Sequence, residues 1–290
     1  MNFFVISDLG EENNSDQIVI TENMGKLAEE YRPSFIVLNG DCHHQNPPMT
    51  LFEKLWMRDF DFIYSDFNEK HNLRWIPVLG NHEYKGDTSK VMSFYENHPR
   101  FDKQILNHRY YGKILSEVST LLLFLDTTPL IEYYREHHDD FPDVWKQSKD
   151  KQIKWLDNIL SRFEGRFDNI ICFGHHPIYA YDKIHTNSND VEKALLPIFN
   201  EYQVTAYISS HVHNFQWIEK SDIFTKFITN SSCSYTNEVK NIDGSKFSSS
   251  RTGFTIVSID KNTKEILIRF VDKTGQIILC KSVNKDETIE

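Results

Sequence analysis

Phe35-Ile36-Val37-Leu38-Asn39-Gly40-Asp41-Cys42-His43-His44 is the stretch that decides how this chain folds. A short, continuous apolar run suits a strand buried on both faces. It gives way at once to a glycine turn carrying an aspartate and two histidines. The same grammar recurs along the chain. Phe3–Ser7 is followed by Asp8, and Trp75–Leu79 by Gly80-Asn81-His82-Glu83. Ile170–Phe173 is followed by Gly174-His175-His176-Pro177, and Ala206–Ser209 by Ser210-His211-Val212-His213. Leu121–Leu125 is one more such run.

Between these runs lie amphipathic stretches with helical spacing. One carries Ile20, Met24, Leu27, Ala28 and Tyr31. A second opens with Thr50 and Glu53 in capping-box register and continues through Leu55, Trp56 and Phe60. A third places Ile153, Leu156, Ile159, Leu160 and Phe163 on one stripe, and Val191–Tyr202 is expected to bend or start late at Pro197. Strands alternating with helices give an α/β layout through residue 215. Beyond it, Ile223–Ile228, Phe254–Ile259, Glu265–Val271 and Ile277–Lys281 read as antiparallel strands, over about 216–284, completing a sheet of one domain spanning 1–290. Asn237–Arg251 reads as a polar loop, and Glu132–Lys151 as a charged, aromatic insertion.

Composition narrows the function classes. The 290 residues carry a formal net charge of -10, which disfavours nucleic-acid polymers and anionic membranes as partners. No stretch approaches the ~18–20 apolar residues of a membrane span. The four cysteines lie far apart, so a reducing, cytoplasmic compartment is the default expectation.

Any one of the polar residues at these strand ends reads blandly, as a turn cap or a hydrogen-bonded structural histidine. Their placement together does not. Open α/β sheets bind ligands at the carboxyl ends of strands. Gly10, Gly40, Gly80 and Gly174, four of only 11 glycines, lie within two residues of a candidate ligand. Aspartate, asparagine and imidazole are the donor set of a transition-metal site. Alternation along an extended strand would put His211 and His213 on one face.

In order, Asp8, Gly40-Asp41, Gly80-Asn81-His82-Glu83, Gly174-His175-His176-Pro177 and His211-x-His213 resemble the calcineurin-like metallophosphoesterase superfamily. Asp8-Leu9-Gly10, Leu125-Asp126-Thr127-Thr128-Pro129-Leu130 and Gln152-Ile153-Lys154-Trp155-Leu156 are similar to its purple acid phosphatase branch. The resemblance implies two packed mixed β-sheets flanked by helices, in four layers, with two metal ions (Fe, Zn or Mn) at the sheet ends. It implies that Asp41 bridges the metals. Asp8, His44 and His213 would complete one site, and Asn81, His175 and His211 the other. His82 would donate a proton to the leaving oxygen or orient the phosphate, with His43 and His176 toward the substrate. The implied activity is hydrolysis of a small phosphorylated substrate by a metal-activated hydroxide, most simply a phosphomonoester. A nucleotide-like diester, or a metal-binding interaction domain without turnover, are the alternatives.

Several positions depart from that branch. His44 stands where it has a metal-binding tyrosine, with His43 as a rival for the role. An imidazole there removes the phenolate that colours a ferric site. Ser7 and Ser210 replace glycines, and Thr229-Asn230-Ser231-Ser232 replaces a glycine-rich turn. Tyr84, Lys85 and the Glu132–Lys151 insertion are expected at the substrate rim.

Overall fold

A computed structural model describes residues 1–10, 15–44, 56–102, 108–181 and 189–284. Among the described residues two mixed β-sheets lie face to face, with helices on their outer faces.

The first sheet begins with β1 (Asn2–Ile6), β2 (Phe35–Asn39) and β3 (Arg74–Val78), which are parallel neighbours. It is extended antiparallel by β11 (Gly253–Ile259), β12 (Ile266–Asp272) and β13 (Ile277–Ser282), in the order β13-β12-β11-β1-β2-β3. The second sheet has β4 (Tyr111–Leu115), β5 (Thr120–Phe124), β6 (Asn169–Phe173), β7 (Ala206–Ser209), β8 (Phe215–Ile218), β9 (Lys226–Thr229) and β10 (Ser245–Ser249). Its order is β10-β8-β9-β7-β6-β5-β4.

Strand periodicity explains the layering. In β1, Phe3 and Val5 face the second sheet, whereas Phe4 and Ile6 face the helices. Phe3 stacks on Phe35 at 4.8 Å and meets Phe173 of the opposite sheet at 6.1 Å. Burying each such ring contributes about 1.5–3 kcal/mol, and a one-residue slip would move every ring from the sheet–sheet core to the helix side, breaking these stacks.

The outer layers are α1 (Ser15–Tyr31), α2 (Phe62–His71), α3 (Thr88–Asn97), α4 (Glu132–Glu136), α5 (Lys149–Phe163) and α6 (Asn189–Glu201). Ile20 and Met24 of α1 and Leu156 and Leu160 of α5 join the helix-side core together with Phe4, Ile6, Ile36, Leu38, Leu121 and Leu123 of the strands. Ser148 caps α5 by accepting from Lys151 N. α6 runs from Asn189 through Pro197 to Glu201, so it does not start late at the proline. Of the second expected helix, Thr50, Glu53 and Leu55 lie outside the described residues. Trp56 and Phe60 are buried against each other where a π-helical turn, Met57–Asp61, leads into α2. No helix of the described residues is long and apolar enough to cross a membrane.

The tail differs from the expectation of antiparallel strands on one sheet. β11–β13 do add antiparallel strands to the first sheet, but β8–β10 join the second, and β9 lies parallel to β7. The hairpin of β8 and β9 swings β9 in beside β7, a pairing that no local signal carries. Ser245–Ser249, expected as loop, is an edge strand on β8. Polar edge strands look like loops in sequence because one side faces water.

Candidate metal centre

The strand ends converge. β1, β2 and β3 deliver Asp8, Asp41 with His44, and Asn81 with His82. β6 and β7 deliver His175, His211 and His213 from the other sheet. The ligand atoms form three overlapping groups: Asp8, His44 and His213; Asp41, His175 and His211; and Asp41, His44 and His82. Asp8 Oδ1 lies 3.2 Å from His213 Nε2 and 3.9 Å from His44 Nε2. Asp41 Oδ2 lies 3.0 Å from His175 Nε2, and 3.9 Å from both His44 Nε2 and His82 Nε2.

Unusual backbone makes this convergence possible. Asp8 and Asp41 have φ of 54° and 52°, in the left-handed region that costs a non-glycine residue roughly 1 kcal/mol or more. The two turns hold each other: Asp8 N donates to Gly40 O at 3.1 Å and Leu9 N to Asp41 O at 2.8 Å. Glu83 secures the arrangement from β3. Its carboxylate accepts from Asp41 N (3.0 Å), Cys42 N (2.7 Å) and Gly80 N (2.6 Å). The sequence showed Glu83 as part of a motif but not this positioning role, because its partners come from two separate turns.

Glycine is required by close approach. A methyl group on Gly80 would collide with Asp41 Oδ1, and one on Gly40 with His175 Nδ1. His175 and His44 each engage a backbone carbonyl through Nδ1, Asn39 O at 2.9 Å and Leu9 O at 2.7 Å. Each Nε2 therefore faces the cluster, the arrangement that orients metal-binding imidazoles.

His211 and His213 overturn the extended-strand expectation. β7 ends at Ser209, and φ of 71° and 57° places both histidines in left-handed turns. The two rings consequently enter different groups, His211 beside His175 and His213 beside Asp8. His43 is buried but joins none of these groups among the described residues. His176 meets Thr127 Oγ1 at Nδ1 (2.9 Å) and Tyr134 Oη at Nε2 (3.0 Å), with its ring 4.4 Å from His211. It braces His211 with both nitrogens engaged. Tyr84, expected at the rim, is fully buried. Its hydroxyl bonds Asp126 and accepts from Arg109 at 2.9 Å. Gln152 clasps the backbone of Asp126, amide to carbonyl and carbonyl to amide, at 2.8 Å each way.

Electrostatics favour a cation here. Burial opposes charge on Asp8 and Asp41, yet neighbouring imidazoles hold both below the usual carboxylate range. Burial likewise opposes charge on His175, but Asp41 and Asp8 outweigh it and raise the ring to about 10. Burial pushes His82 down to about 3 despite Asp41. Asp8 Oδ2, Asn81 Oδ1 and His44 Nε2 are buried without a hydrogen-bond partner, and Asp8 Oδ1 faces the ring of His213. Leaving such groups unpaired costs about 1–3 kcal/mol each, more for a charge, and bound metal ions would satisfy all of them. The donor set fits two metal ions.

The sequence pattern of calcineurin-like phosphoesterases matches residues 1–215. The chain belongs to that family. It is distantly related to purple acid phosphatases. Purple acid phosphatase 4 of Arabidopsis thaliana is 28% identical over 95% of this chain and 81% of its own length. Tartrate-resistant acid phosphatase type 5 of Homo sapiens is 23% identical over 76% of this chain and 69% of its own. Among solved structures, GAP50, the anchor in the inner membrane complex of Plasmodium, superposes with a TM-score of 0.78 at 22% identity, covering 99% of this chain and 89% of that one. A dimetal phosphatase from Danio rerio superposes with a TM-score of 0.70 at 14% identity, covering 98% of each chain. The fold is the family's αββα sandwich, with clustered His and Asp side chains consistent with a dimetal site.

Proposed function

We propose that this protein is a metal-dependent phosphoester hydrolase, acting first on phosphomonoesters. The observation that carries the reading is the set of buried atoms without a hydrogen-bond partner, Asp8 Oδ2, Asn81 Oδ1 and His44 Nε2, around two ionised carboxylates. One ion would be held by Asp8, His44 and His213, the other by Asn81, His175 and His211, with Asp41 between them. When bound, two such cations supply an activated water and neutralise phosphoryl charge.

The chain's own residues do the rest. Asp41 donates no proton, since its neighbours keep it ionised, and its carboxylate offsets repulsion between cations. His82 N donates to Asp41 Oδ1 at 2.8 Å, which ties the His82 turn to the bridging residue. Its imidazole is neutral in this pocket, and a phosphoryl dianion arriving beside it favours the protonated form. The His82 ring therefore takes up a proton from solvent as the substrate binds, and that proton passes to the leaving oxygen.

Metal analysis, a visible spectrum and an aryl-phosphate assay on one purified sample test the reading. About two metal ions per chain and hydrolysis abolished by chelation are expected. Full metal occupancy without turnover on any monoester or diester would instead favour a non-catalytic, metal-binding interaction domain. Turnover restricted to diesters would move the assignment to a phosphodiesterase.

A further inference from the structure

Two of the departures from the purple acid phosphatase branch, Ser7 and the segment Asn230-Ser231-Ser232, meet in one place. Asn230 Nδ2 donates to Ser7 Oγ at 3.0 Å, and Ser232 Oγ and Ser234 Oγ both donate to Asp8 O, at 3.0 and 2.8 Å. On the far side, Asn237 N donates to His213 O at 3.1 Å. Tyr235 is thus carried on a strap anchored to two of the metal-site turns. Its ring lies 4.1 Å from that of His213 and 5.8 Å from that of His44, yet 42% of the residue is exposed.

We propose that Tyr235 is the stacking platform for the organic group of the substrate, and that the site takes phosphate esters of planar, aromatic alcohols. This rests on the hydrolase reading above. Under that reading the ester oxygen must face His82, whose ring is 4.6 Å from that of His44. His44 neighbours both His82 and Tyr235, so an organic group extending from His82 over His44 reaches the exposed Tyr235 ring. A tyrosine held by its backbone offers aromatic area at little entropic cost. A flat ring gains an offset or edge contact there that an alkyl group does not.

The test measures binding of phenylphosphonate, methylphosphonate and inorganic phosphate to the metal-loaded protein by calorimetry. In the wild type phenylphosphonate should be preferred over methylphosphonate by about 3–10-fold. Tyr235→Phe should keep that preference and Tyr235→Ala should lose it. A wild type that binds both phosphonates equally, or a Tyr235→Ala variant that keeps the preference, overturns the inference while leaving the hydrolase reading intact. Failure of the metal-loaded wild type to bind any of the three anions would overturn that reading, and this inference with it.

Discussion

Replacing Asp126 by asparagine should change the pH dependence of stability in a calculable way. Asp126 is buried at the end of β5, and burial pushes its carboxyl up to about 7 from 3.8, against the pull of the Arg109 guanidinium and the Tyr84 hydroxyl. Its Oδ1 has no hydrogen-bond partner. The folded pKa is raised, so the native state holds a proton that the unfolded chain releases near pH 4. The stabilisation is fully present below that pH and is lost as pH rises through about 7. A shift of roughly 3 units corresponds to roughly 4 kcal/mol in total, of which roughly 3 kcal/mol falls between pH 5 and 8.5. Asparagine does not titrate but can still accept from Tyr84. Urea unfolding of both proteins at equal metal load, across that range, should show wild type losing roughly 3 kcal/mol relative to Asp126→Asn. Arg109→Met should move the loss to higher pH by removing the nearby cation. Parallel profiles for wild type and Asp126→Asn, within about 0.5 kcal/mol, would refute the claim that this carboxyl is held protonated near neutrality.

Glu83→Ala strips the acceptor from three buried backbone amides at about 1–3 kcal/mol each, so thermal unfolding should reveal a loss of roughly 3–9 kcal/mol; an unshifted melting temperature would show that water replaces the carboxylate. Gly80→Ala drives a methyl group into Asp41 and should lower metal content, measured by elemental analysis, with little change in far-ultraviolet circular dichroism. His82→Asn should reduce kcat at least about 100-fold at near-normal metal content, whereas Asp41→Asn should cost metal occupancy itself. Wild type loaded with ferric iron should lack a purple band that His44→Tyr restores, and a band in the wild type would mean that another phenolate reaches the metal.

Much of the centre was legible because its signals are local. A buried strand needs a continuous apolar run, and the turn after it must carry its polar residues within a few positions, so Asp8, Asp41, Asn81, His175 and His211 each announce themselves beside their own strand. Length and burial likewise exposed β1, β2, β3, β5, β6 and β7, and helical periodicity exposed α1 and α5. What only the tertiary structure decided are the contacts between turns distant in sequence. The separation of His211 from His213 follows from left-handed backbone that His-x-His spacing does not encode. The Glu83 carboxylate finds its amides 41 and 42 residues away, and Ser232 and Ser234 reach Asp8 across 224 and 226 residues. The parallel placement of β9 and the edge strand β10 have the same origin. A buried donor or acceptor must be satisfied by whatever the folded chain brings near it, and sequence alone fixes the need without naming the partner.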